Sequence, residues 1–173
     1  VVGARGLDAY AEADPAELRD VVTDLRADYD LVVIDTGAGL SHDGLVPLGI
    51  ADGILLVTTP DDVAVRDTAK TGDLATRVDG SIIGVVVTRA RPDVDVEAIA
   101  ADLSYPVVGV VPEDSAVASG SPLVTRSPDA PAAAAYRRLA NGLERVAFEG
   151  ATGANLERSW DVPASTPADG QAA

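Results

Sequence analysis

The chain contains no cysteine and no methionine, and only one lysine, one histidine, one tryptophan and one phenylalanine. Without cysteine there can be no disulfide, thiolate metal site, iron–sulfur cluster or thiol nucleophile. No apolar run is long enough to span a bilayer and no stretch reads as a signal peptide, so a cytoplasmic location is expected. Basic charge is scarce too. The 28 Asp and Glu face 13 Lys and Arg, for a formal net charge of -15, and every basic residue except Lys70 is an arginine. That balance argues against nonspecific DNA binding or anionic-membrane binding by the body of the chain. The acids are spread over nearly every expected helix. Such a surface suits a very salty cytoplasm, where ions screen its self-repulsion, and a halophilic source is expected.

What is present suits one domain with a real core: 173 residues, 47% of them hydrophobic. The chain opens on Val1-Val2-Gly3, without an initiator methionine, and reads as a fragment starting at the end of a strand. Asp14-Pro15-Ala16-Glu17 marks a helix start, with a capping carboxylate, proline at the first helical position and an acid three residues after the cap. Leu18, Val21, Val22 and Leu25 then form one apolar stripe. Strands are expected at Leu31–Ile34, Ile54–Val57, Ile82–Val87 and Pro106–Val111, separated by helices near 44–50, 62–78 and 94–103, with a last helix over about 130–147. Helices alternating with nearly uninterrupted apolar strands predict an α/β fold: right-handed βαβ crossovers and a parallel sheet covered on both faces. Burial of Leu31 to Ile34 would contribute about 1.5–3 kcal/mol per side chain, which makes that strand the expected centre of the sheet. Residues 149–173, rich in Gly, Ala, Ser, Pro and Asp and without periodicity, are expected to be a disordered tail following a domain of 1–148.

The strand Leu31-Val-Val-Ile34 ends in Asp35, with Gly37 and Gly39 just beyond. In open α/β sheets the ligand crevice lies beyond the carboxyl ends of the strands, where such a charge meets a substrate or metal and glycines allow close backbone approach. Capping a loop is the plainer role for the same carboxylate. The other strands end in Thr58-Thr59-Pro60-Asp61, Thr88-Arg89 and Pro112-Glu113-Asp114. Four polar strand ends along one edge point to a shared ligand site. His42 reads as an exposed loop residue, Lys70 as an exposed helical one and Trp160 as a stray apolar residue of the tail.

These residues carry a resemblance. Leu31-Val-Val-Ile-Asp-Thr-Gly-Ala-Gly39, Ala51-Asp-Gly-Ile-Leu-Leu-Val-Thr-Thr-Pro60, Arg66-Asp-Thr-Ala-Lys70, Gly84-Val-Val-Val-Thr-Arg89, Val108-Gly-Val-Val-Pro-Glu-Asp114 and Ser127-Pro-Asp-Ala-Pro-Ala-Ala-Ala-Ala-Tyr136 occur in the order seen in the MinD/ParA/Mrp family of P-loop ATPases. The chain resembles the MinD branch most. The resemblance implies ATP as ligand with Mg2+ held through water by Asp35, also the catalytic carboxylate. Gly37, Ala38 and Gly39 would form the switch that senses the terminal phosphate through backbone amides. Thr88, which stands where the family often has asparagine, would flank the adenine together with Arg89, Pro112, Glu113 and Asp114. Asp61, Arg66 and Asp67 would lie on the surface for dimerisation and for a regulatory protein partner.

The family's lysine-bearing phosphate loop is not within these residues, since Lys70-Thr71 has alanines at 64 and 69 where the motif needs glycines. These 173 residues alone are therefore not expected to hydrolyse ATP. The resemblance implies an ATPase that dimerises on ATP binding and acts as a spatial switch in septum placement or another polar assembly. A non-hydrolysing scaffold on the same fold and a chromosome-partitioning ATPase of the ParA type are the alternatives. The last would need a basic surface.

Overall fold

A computed structural model describes residues 17–37, 42–115 and 122–157. Its elements, in chain order, are α1 (Glu17–Asp28), α2 (His42–Ile50), β1 (Ile54–Thr58), α3 (Asp62–Arg77), β2 (Ile82–Ala90), α4 (Val96–Leu103), β3 (Val107–Pro112), α5 (Leu123–Arg126), α6 (Pro131–Glu149) and α7 (Gly153–Glu157). Among the described residues no helix is long and apolar enough to cross a membrane. The chain forms two compact units, Val1–Ile54 with Lys70–Ile82, and Leu55–Ala69 with Ile83–Ala173.

In the first unit α1 packs on α2. Leu18, Val22 and Leu25 are half-buried along one side of α1, while Glu17, Asp20, Asp24 and Asp28 stay in solvent, as the apolar spacing requires. Val21, counted in the same stripe, is 39% exposed. The Asp14-Pro15 start signal lies outside the described residues. Arg26 pairs with Asp52 at 3.1 Å, but both side chains are more than half exposed, so the pair adds little stability.

The expected central strand is not one. Residues 31–37 carry no regular structure, and Leu31 and Val33 are 55% and 83% exposed, with Val32 and Ile34 half-buried between them. Apolar β-branched residues favour an extended backbone, but a strand is completed by ladder partners on its edges. Among the described residues no strand pairs with this segment.

The second unit is built on a three-stranded parallel sheet in the order β1-β2-β3. Sequential order with helical crossovers is the simplest outcome of the βαβ rule. One face carries Val86, Val108 and Val111, which pack with Ala132, Ala135 and Leu139 of α6 and Leu156 of α7. Val85 and Val87 are fully buried toward the opposite face by strand alternation. Small residues of α6 let it lie close to β3: Ala132, Ala133 and Ala135 are wholly buried.

The register between β2 and β3 slips twice. Val85 pairs with Val107 but Val86 pairs with Gly109, which makes Val108 an extra residue in β3. Val87 pairs with Val110 and Ala90 with Pro112, which places the second extra residue in β2, within Thr88-Arg89. The strand expected to stop at Thr88 therefore runs on to Ala90.

The tail also begins later than its composition suggests. Helix α6 continues to Glu149 and ends at Gly150, whose φ of 70° is the left-handed cap conformation that glycine adopts without strain. Thr152 and Asn155 then bond to each other, the Thr152 hydroxyl at 2.6 Å from Asn155 Oδ1, and α7 turns Leu156 into the core with no exposed surface. Residues 158–173, including Trp160, lie outside the described residues.

Candidate functional site

The carboxyl ends of β1, β2 and β3 share one edge of the sheet in the second unit, and a row of hydrogen bonds ties them together. Thr58 is 3% exposed, and its hydroxyl donates to the Thr59 carbonyl at 3.1 Å. The Thr88 hydroxyl, from the neighbouring strand, donates to the Thr58 carbonyl at 3.1 Å. One strand further, the Glu113 amide donates to the Ala90 carbonyl at 2.9 Å. Three of the four polar ends read from the sequence thus lie together.

Arg89, in the second bulge, has φ of 54°, a left-handed conformation uncommon for a residue with a side chain. Such a conformation costs about 1–3 kcal/mol and persists where the surrounding structure imposes it, often at ligand sites. Here the flanking pairs, Val87 with Val110 and Ala90 with Pro112, fix both ends of the bulge. Its guanidinium is exposed. No sequence signal announces this strain, because arginine is not a residue that favours it.

Two of the carboxylates have structural work. Asp61 Oδ1 accepts from the Val63 and Ala64 amides at 2.9 and 3.2 Å and so caps α3. Asp61→Ala should lower the unfolding free energy by about 0.5–2 kcal/mol, measured by chemical denaturation at fixed salt, whereas Asn, which keeps the acceptor, should cost little. Asp114 Oδ2 accepts from the Ala132 amide at 3.1 Å, from 18 residues upstream. The residue at the start of α6, Ala130, gives no side-chain cap, so Asp114 supplies it from the end of β3. This role was invisible in the sequence because the two partners meet only through the fold. Pro112 is half-buried and Glu113 exposed. Arg66 and Asp67 are both exposed on the first half of α3, where Arg66 Nε donates to the Asp62 carbonyl at 3.2 Å.

Asp35 belongs to the first unit. It is exposed, and among the described residues no hydrogen bond or ion pair engages its carboxylate. Gly37 is exposed with nothing within 4 Å of an added Cβ, and Ala38 and Gly39 lie outside the described residues. Among the described residues no group of three or more acidic or histidine side chains could hold a metal by itself. Mg2+ keeps much of its water and takes one or two carboxylates together with phosphate oxygens. A single free carboxylate such as Asp35 fits that donor set.

No protein-family model matches the sequence. The chain is 33% identical over 150 residues to an uncharacterized ATP-binding protein of Methanocaldococcus jannaschii, an alignment covering 83% of this chain and 57% of the relative. It is 30% identical over 138 residues to the septum site-determining protein MinD of Bacillus subtilis, covering 73% of this chain and 51% of that protein. Among solved structures, MinD of Pyrococcus horikoshii complexed with Mg-ADP superposes with a TM-score of 0.76 at 28% identity, over 86% of this chain and 64% of the other. The cell-division ATPase MinD of Pyrococcus furiosus gives 0.75 at 30% identity, over 83% and 63%. The chain thus spans about half the length of the curated relatives it matches.

Proposed function

Because this chain belongs to the MinD/ParA family of ATPases, we propose that it is part of a MinD-like nucleotide switch that binds ATP with Mg2+, dimerises in the ATP state and positions septum-site or other polar assemblies. The observation that carries this reading is the likeness of 86% of the chain to a MinD solved with Mg-ADP, with a TM-score of 0.76. The polar ends of β1, β2 and β3 on one edge support it independently, because that is where α/β sheets bind ligands.

On this reading Asp35 holds Mg2+ through water, and backbone amides of Gly37, Ala38 and Gly39 meet the terminal phosphate. The metal would supply charge neutralisation at the phosphates. Thr88, Arg89, Pro112 and Glu113 flank the base, while Asp114 acts on that segment through the cap it gives α6. Asp61, Arg66 and Asp67, at the exposed start of α3, form the surface for a second copy or a regulatory protein.

The test is Mg2+-dependent ATP binding and turnover by the full-length gene product in multimolar KCl. Binding with slow turnover, and a loss of turnover of about 10–100-fold in Asp35→Ala, is the expected result. Failure of the full-length protein to bind ATP would favour the non-hydrolysing scaffold instead.

A further inference from the structure

In a chain of net charge -15, one long helix runs against the trend. Helix α6 carries Arg137, Arg138 and Arg145 against Glu144 and Glu149, and among the described helices of eight residues or more it alone has more bases than acids. Its inner side is buried on β3. On its outer side Arg138, Asn141, Arg145 and Phe148 are all exposed, and their steps of three and four residues put them in one row. Among the described residues no ion pair or hydrogen bond engages either guanidinium of that row. Phe148, the only phenylalanine of the chain, is 57% exposed there and gives the row an apolar end.

Helix α1 presents the complementary row. Glu17, Asp20, Asp24 and Asp28 are exposed, step by three, four and four residues, and have no partner among the described residues. The two bases of α1 do not interrupt them, because Arg19 and Arg26 turn to the other side, where they line a cleft with Gly49 and Ile50 of α2. A solvated face is the ordinary role of an acid row. What distinguishes this one is that the same chain carries a basic row of matching spacing.

We infer that the outer face of α6 docks α1 of a second copy of this chain. Antiparallel packing sets Glu17 against Arg145, Asp20 against the Asn141 amide and Asp24 against Arg138, and it keeps Asp28 away from Glu149. Each exposed ion pair contributes little by itself, so the contact depends on the whole row. Two acidic copies repel at long range, but salt confines that repulsion to about 3 Å at 1 M and weakens pairs already in contact less. One helix pair buries less than a stable complex needs, so the association is weak. Because each copy offers both faces, the contact serves a closed pair or a growing chain, and either raises the mass above that of the monomer. It is separate from the ATP-state dimer proposed above and needs no nucleotide.

The experiment is sedimentation velocity of the full-length gene product, without nucleotide and at fixed multimolar KCl, over a range of protein concentrations. Self-association should be half-complete between about 10 and 1,000 μM. Replacing Arg138 and Arg145 together by glutamate should weaken it by about tenfold or more, and so should replacing Asp20 and Asp24 together by arginine, because like charges then face each other. An equimolar mixture of the two double variants should associate again, since each supplies the face the other has lost. Restored association also shows that both variants are folded. A monomer at every concentration overturns the inference, as does association that neither double variant weakens. Two weakened variants whose mixture stays monomeric overturn it as well, and leave the α6 face to an acidic surface other than α1.

Discussion

Replacing Leu156 by alanine should lower the unfolding free energy by about 2–5 kcal/mol, the usual range for a fully buried leucine. The side chain has no exposed surface and joins Val86, Val108, Val111 and Leu139 in one apolar cluster. It seats over Gly142 of α6, where an added Cβ would lie 3.4 Å from a Leu156 methyl, and Gly142 itself has no side chain to fill the space left behind. The cost should therefore include most of the cavity term and not the transfer term alone. Urea denaturation at fixed KCl measures it. A change below about 1 kcal/mol would mean that α7 does not dock in solution.

Gly153→Ala should also destabilise the protein, by about 1–3 kcal/mol, although alanine is the better helix former. At the first residue of α7, an added Cβ would run into the Ile83 carbonyl oxygen and come within 3.4 Å of Pro106 Cγ. A backbone oxygen in a buried strand cannot move aside as a flexible side chain can, so α7 must shift away from the sheet. That shift draws Leu156 out of its cluster. The two substitutions act on the same docked helix, and their combined cost should fall short of the sum of the separate ones. Equal or greater stability of Gly153→Ala would show that α7 has room the structure does not give it. Amide hydrogen exchange in α7 gives a second reading, with faster exchange expected in both variants.

Both predictions concern a stretch whose composition alone suggested disorder. The local signals were nevertheless present: Gly150 as a helix stop, Thr152 as a start, and Leu156 as the one large apolar residue shortly after it. Their meaning depends on whether an apolar cluster lies within reach, and that is set by α6 and β3. The same dependence explains Leu31–Ile34. The residues fit a strand well, yet among the described residues they have no edge to pair with, and Leu31 and Val33 stay mostly in solvent.

What the sequence by itself determined was the alternation of elements, and through it the α/β class and the parallel sheet. Strand composition and helix spacing are local, and local physics decides them. The order of motifs determined the family, and the strand-end position of Thr88, Arg89 and Pro112–Asp114 marked one edge as the place to look. The tertiary structure alone decided what each of those groups has left to offer. The Thr88 hydroxyl donates to the Thr58 carbonyl, 30 residues away, and the Asp114 carboxylate accepts from the Ala132 amide, 18 residues away. Arg89 takes a left-handed backbone because β3 pairs on both sides of it. A hydrogen bond satisfied across strands leaves no trace in the spacing of residues along the chain, and it is such bonds that determine which donors and acceptors remain for a ligand.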